Sequence, residues 1–282
     1  MYYYFNTNFI AMNKTRVITV LVLFLLTGFS VVGYGQESPK ESKLGFDIGA
    51  DIMSRYVWRG TRYGGSSPSI QPFTSLSISN FEIGVWGAYS IGGTNPYQEF
   101  DLYATYNFAD EMFSVTITDY FFPDELSDYK YFEYEKDSTG HIFEGAISFN
   151  GTEKIPVSLL IATNFYGCDA KKINDDVNSP DFNEEDGIQY STYFELGYST
   201  SIRKIDFDAF LGFTLNSPKK ADTDSGFIGE NGFYGNSPGI VNLGFTATKE
   251  IKITDKYSLS VSTSVITNPQ AEKVCFVFGI SL

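Results

Sequence analysis

From Leu44 to Leu282 the chain runs through twelve stretches in which apolar and polar residues alternate, at roughly 44–59, 68–79, 81–91, 97–109, 111–121, 141–149, 155–166, 188–201, 204–216, 239–249, 256–266 and 272–282. Successive side chains of a β-strand point to opposite faces, so each stretch predicts a strand with one greasy and one polar side. In the fourth, Phe100, Leu102, Ala104, Tyr106 and Phe108 share a face, and Glu99, Asp101, Tyr103, Thr105 and Asn107 share the other. The ninth sets Ile205, Phe207, Ala209, Leu211 and Phe213 against Asp206, Asp208, Gly212 and Thr214. The last offers Val274, Phe276, Phe278, Ile280 and Leu282 on one side.

The connections alternate too. After the even-numbered strands they are short, at 79–80, 109–111, 150–154, 202–203 and 250–255. After the odd-numbered strands they include three long segments, 122–140, 167–187 and 217–238, of a length uncommon in compact soluble domains. Most strands hold nine or more residues, enough for a tilted strand to cross a bilayer. An even strand number returns both chain ends to one side. The pattern therefore predicts an all-β protein, a 12-stranded antiparallel transmembrane β-barrel with short periplasmic turns and long acidic extracellular loops. A soluble barrel of the lipocalin kind would show the same alternation turned inside out, but such barrels close with about eight strands.

Upstream, the apolar run 17–29 is too short to span a membrane as a helix. It follows Lys14 and Arg16 and leads to Gly33-Tyr34-Gly35 before Gln36, which predicts a secretory signal over 1–35, with 1–11 as an upstream extension before Met12. Residues 36–43 are then a periplasmic N-terminal segment and 44–282 the outer-membrane barrel. The expected location is the cell outer membrane of a two-membrane bacterium, with outer-membrane lipids and lipopolysaccharide as surroundings and small-molecule solutes as partners. Twenty Tyr and 26 Phe suit such a wall, where rings anchor at both interfaces. The oligomeric state is left open.

Charge narrows the partners. The chain has 20 basic and 34 acidic residues; residues 1–35 contain two of the basic and none of the acidic, leaving 18 against 34, or −16. That field repels nucleic acid and draws in cations. If Phe46, Ile48, Ala50 and Ile52 face lipid, then Asp47, Asp51, Arg55 and Arg59 stand in single file toward the lumen. Glu82, Glu99, Asp101, Glu144, Glu195, Asp206 and Asp208 join them, giving nine acidic and two basic pore-lining candidates. An acidic lining concentrates cations. Alternatively, Arg55 and Arg59 pair with neighbouring carboxylates and plug the lumen, and the barrel works as a cell-surface binding or structural protein through its acidic loops. A third use, a channel for a larger ringed solute, would put Trp86, Tyr103, Tyr120 and Tyr193 to work as stacking surfaces. Tyr56 and Trp58 fall on the outward parity and are expected in an interfacial aromatic girdle; Asp119 falls on the apolar face near the outer rim, where a charge costs least.

The sequence Ser54-Arg55-Tyr56-Val57-Trp58-Arg59-Gly60, then Pro68-Ser69-Ile70-Gln71, Gly84-Val85-Trp86 and Glu99-x-Asp101-x-Tyr103, resembles the opening signature of the TorF-like porin family. Arg55 stands where that family commonly has Asp. The resemblance covers about 60 residues and implies an outer-membrane barrel with a transport role and no catalytic residue.

Other chemistries find little support. His141 is the only histidine, with no serine placed to be its nucleophile, so no enzyme is expected. Asp222-Thr223-Asp224-Ser225-Gly226 and the acidic run 176–186 miss the spacing of a calcium loop, so no metal site or cofactor is assigned. The seven acidic residues of 167–187 and the six of 122–140 read as solvated, mobile loops. Cys168 and Cys275 are too few for a disulfide framework and are expected as thiols.

Overall fold

The computed structural model describes residues 44–92, 97–123, 130–136, 138–255 and 257–282. The expected signal segment (1–35) and the segment 36–43 lie outside the described residues. The elements are β1 (Leu44–Met53), β2 (Tyr56–Trp58), β3 (Thr61–Tyr63), β4 (Ser69–Ile78), β5 (Phe81–Ser90), β6 (Gln98–Phe108), β7 (Phe113–Phe121) and β8 (His141–Phe149). They continue with β9 (Val157–Gly167), β10 (Lys171–Ile173), β11 (Glu185–Ile188), β12 (Thr192–Ile202), β13 (Ile205–Thr214), β14 (Gly239–Lys252), β15 (Ser258–Asn268) and β16 (Lys273–Ser281). Twelve of them form one closed antiparallel barrel, in the order β1-β16-β15-β14-β13-β12-β9-β8-β7-β6-β5-β4. The short pairs β2–β3 and β10–β11 stand apart from this wall. Closure gives every wall strand two hydrogen-bonded neighbours, so none stands at a sheet edge.

The alternation read from the sequence sets which side faces out. Phe46, Ile48 and Phe278 are 69%, 70% and 62% exposed on the outer surface, whereas Glu99 and Glu144 are 2% exposed inside. Large apolar side chains thus cover the exterior and charged ones point inward, the reverse of a soluble barrel. Between β12 and β13 the turn is Arg203-Lys204, both with positive φ, flanked by the Ile202/Ile205 pair. Two central residues with positive φ give a hairpin turn that matches strand twist.

Two irregularities aim side chains. A register shift between β13 and β14 opposes Gly212 with Asn242 and Phe213 with Ile240, so Val241 is the extra residue. Such a bulge re-aims the chain locally, and both Val241 and Asn242 are buried inside. A second shift, between β8 and β9, passes Glu144 opposite Asn164 and Phe143 opposite Tyr166.

Three expectations need correction. The first strand does not run to 59. It leaves the wall after Met53, where the Ser54 amide donates to the Phe278 carbonyl at 2.7 Å and the Phe278 amide to Ser54 Oγ at 2.9 Å. Residues 56–63 turn into the barrel instead, so Tyr56 and Trp58 belong to the interior and not to an outer girdle. As a result β1 and β16 are joined by only three residue pairs, 51–53 with 279–281, while every other wall joint has at least seven.

The second concerns Asp119, which does not sit bare on the apolar face. The segment 130–136 folds back over the outside of β7 and β8, with Tyr131 against Phe100 and Phe121 and Tyr134 stacked on His141. Beneath it His141 is fully buried, with Nδ1 2.7 Å from Asp119 Oδ1 and Nε2 2.7 Å from the Tyr131 carbonyl. A carbonyl only accepts, so Nε2 carries a proton. The lone histidine thus closes a polar site on an otherwise apolar surface.

The third is the loop 168–191. It is solvated but organised: β10 and β11 pair, Asn183 Nδ2 donates to the Gly226 carbonyl and Asn183 Oδ1 accepts from the Ile228 amide, both at 3.0 Å. Cys168 and Cys275 form no disulfide.

Candidate functional site: an inward hairpin across the lumen

The hairpin β2–β3 pairs Tyr56 with Tyr63 and Trp58 with Thr61, leaving Arg59 and Gly60 as a two-residue turn, with φ of 48° and 76°. Glycine at the second position is required twice over. Its φ lies in the left-handed region, and a Cβ there would collide with the Val241 carbonyl on β14, three strands round the wall from β1. The Asn268 side chain donates to the Gly60 carbonyl at 3.5 Å, while Arg59 reaches Glu144 on β8 and Tyr193 on β12, strands that lie almost opposite β1.

Arg59 at the tip is held from every side. Its guanidinium makes a two-pronged ion pair with Glu144, and its Nη1 donates to the Tyr234 hydroxyl at 2.5 Å. The Trp58 and Tyr193 rings each lie 4.5 Å from the guanidinium carbon. The Tyr120 hydroxyl donates to Glu144 Oε1 at 3.0 Å. A planar fork matched to a carboxylate and flanked by rings is the arrangement in which a buried Arg is best compensated. Behind the tip, Tyr56 packs on Trp86 and Tyr63, Trp58 packs on Tyr120, and Tyr63 packs on Tyr97. Aromatic and ionic contacts together fasten the hairpin to β5, β7, β8 and β12.

The candidate pore-lining residues divide into two groups. Near the long-loop end, Glu99, Asp101 and Glu144 are buried. Glu99 Oε2 accepts from the Tyr97 hydroxyl at 3.0 Å, whereas Asp101 Oδ1 is buried without a hydrogen-bond partner among the described residues. Glu195 Oε2 accepts from the Tyr193 hydroxyl and from Asn242 Nδ2. Toward the short-turn end, Asp47, Asp206 and Asp208 are exposed. Ser201 donates to Asp206, Ser199 to Asp208 at 2.6 Å, and Tyr103 to Glu82 at 2.9 Å. Asp51 lies between the two groups, opposite Gln71. The expected single file ends there, because Arg55 and Arg59 have left the wall. Among the described residues, none of these short-turn-end carboxylates has a basic partner.

Tyr234 and Phe233 were not anticipated. They come from the 217–238 loop, which dips into the barrel so that both rings reach Trp58. Their signal was present as Gly232-Phe233-Tyr234-Gly235, two aromatics bracketed by glycines in an otherwise polar loop. Tyr97 and Asn242 carried no comparable mark. Outside the barrel, Lys219 Nζ meets Asp175 Oδ2 at 2.7 Å, and this hydrogen bond holds the Asp175 carboxyl below its ordinary value.

No curated protein matches the chain. Residues 37–228 match the model of a family described as bacterial proteins of unknown function, Gcw_chp, a stretch that takes in the hairpin, Glu144 and Glu195. With well over half of its length inside that match, the chain belongs to the Gcw_chp family.

Proposed function

We propose that this protein is an outer-membrane channel for small polar or cationic solutes, closed in the state described by the hairpin at 56–63. The observation that carries this function is the pairing of Arg59 with Glu144 across the lumen, beside a vestibule whose carboxylates have no ion-pair partner among the described residues. An exterior of large apolar residues and the even strand number suit a bilayer, and the family is bacterial, which favours an outer membrane with lipopolysaccharide and lipid around the wall. The unpaired carboxylates at the short-turn end would raise the local cation concentration. Nothing in this function calls for catalysis or a cofactor.

Planar-bilayer recording tests it. The unaltered protein should conduct weakly and intermittently. Glu144→Gln, which weakens the latch, should raise open probability, and the open current should prefer cations. A variant lacking 56–63 that is folded yet passes no ions would end the channel proposal.

The alternative function is a permanently closed barrel acting at the cell surface. It is favoured by the order of the long loops, where Asn183 ties the 168–191 loop to 226 and 228 and Gln189 donates to the Asn231 carbonyl. Deleting 174–183 would abolish partner binding in that case and leave solute flux untouched.

A further inference from the structure

The hairpin leaves a cavity of about 310 Å³ inside the barrel, within the range of small-molecule sites, about 300–1,000 Å³. Its lining combines Arg55, Glu195 and Asn242 with an apolar wall of Phe210, Ile266 and Val277. Three features of this lining are unaccounted for by the protein's own contacts. Arg55 makes no ion pair among the described residues, and its Nε is buried without a hydrogen-bond partner. Arg59, the other guanidinium at the cavity, is already committed to Glu144. Asn242 Oδ1 is likewise buried and unpartnered. Glu195 accepts from Tyr193 and Asn242 on Oε2, and its Oε1 has no donor among the described residues.

Buried donors and acceptors left unmatched are costly, and this cavity carries two of them, Arg55 Nε and Asn242 Oδ1, beside a carboxylate oxygen open to it; such a lining is complementary to something that supplies the partners. A bare anion would satisfy Arg55 but would have to pass an acidic vestibule. A bare cation would satisfy Glu195 and leave Arg55 as it is. We propose that the cavity binds a small zwitterion with an apolar body, such as a hydrophobic α-amino acid, its carboxylate on Arg55, its ammonium on Glu195 and its side chain against Phe210, Ile266 and Val277.

The site does not depend on conduction, since a barrel that never opens to ions can still bind a ligand at equilibrium. The test is titration calorimetry on the full-length protein in detergent, with phenylalanine, phenylacetate and phenethylamine as probes. Phenylalanine should bind, and the two half-ligands should each bind about tenfold more weakly or worse, the loss expected for one charged hydrogen-bonded partner. Arg55→Gln and Glu195→Gln should each weaken phenylalanine by a similar factor in protein that still shows the heat-dependent gel shift of an intact barrel. Failure of phenylalanine to bind, equal affinity for phenylacetate and phenylalanine, or an unchanged affinity in folded Arg55→Gln would each overturn the proposal. The probe series on the unaltered protein keeps the test valid if a variant does not fold.

Discussion

The two ends of the barrel interior obey the same alternation and reach opposite outcomes. At the long-loop end, Glu99, Asp101 and Glu144 are buried beneath the hairpin, and Glu144 is matched to Arg59. At the short-turn end, Asp47, Asp206 and Asp208 lie exposed, the two aspartates of β13 accepting only from serine hydroxyls. Parity decides only that a side chain points inward. Whether its charge needs a partner depends on what else enters the lumen, because a carboxylate in water is solvated while one under aromatic rings is not. The contrast between a sealed half and a wet half is what further experiments should try to break.

The largest effect belongs to the seal. Removing one member of a buried ion pair leaves the other uncompensated, so Glu144→Ala should cost about 3–5 kcal/mol. The measure is the denaturant midpoint of refolded barrel, and Arg59→Met in the same chain should recover part of the loss. An additive double variant would show that the two groups are energetically separate.

Next comes the hairpin tip. Gly60→Ala places a side chain in the left-handed region, about 1–2 kcal/mol by itself, and drives its Cβ into the Val241 carbonyl. Because backbone cannot give way as a side chain can, the expected response is displacement of the hairpin, seen as faster proteolysis within 56–63 and a larger ion current. A Gly60→Ala protein with both unchanged would mean the tip does not touch Val241.

His141→Ala removes two hydrogen bonds under the external strap, a cost on the order of 1 kcal/mol because Asp119 is partly exposed and regains water once the strap loosens. Limited proteolysis should cut 130–136 sooner, while the interior seal and current stay as they were. In the wet half, Asp206→Asn with Asp208→Asn should move stability by no more than about 0.5 kcal/mol and, in the channel proposed above, lower only the preference for cations.

The smallest effect lies outside the barrel, at Asp175 and Lys219. Their contact depresses the carboxyl and raises the ammonium, so it contributes between the two ordinary values, 3.8 and 10.5. The contribution is complete above the ordinary carboxyl value and fades as the pH drops through the depressed one; at the alkaline side it fades as the pH rises through the raised lysine value. Protection of the 171–188 amides, relative to their intrinsic exchange at each pH, should fall slightly at both extremes and hold constant around neutral pH.

The wall was legible because its signal is local. A period of two needs only neighbours in sequence, and all twelve stretches became wall strands, with ends shifted by a few residues. The first strand misled because Tyr56 and Trp58 continue the outward parity of Phe46, Ile48 and Ile52, so the pattern runs on where the chain turns away. The clue to the turn was Arg59-Gly60 following Trp58, a hairpin signature that merged with the gap between the first two expected strands, which end at 59 and begin at 68. Pairing Arg59 with carboxylates was foreseeable from charge, but its particular partner was not. Glu144 lies 85 positions away, and closure of the barrel brings them together. The Asp119 and His141 contact was hidden similarly, since parity says which face a residue takes and nothing about a strap crossing that face.

The short run of rungs between β1 and β16 has a mechanical consequence. A closed hoop stretched or heated parts first where it is sewn most sparsely, and here that place is where the first stave meets the last. Unfolding should therefore start by unzipping along that line and flattening the wall into an open sheet, with the two terminal staves peeling off before any of the staves between them.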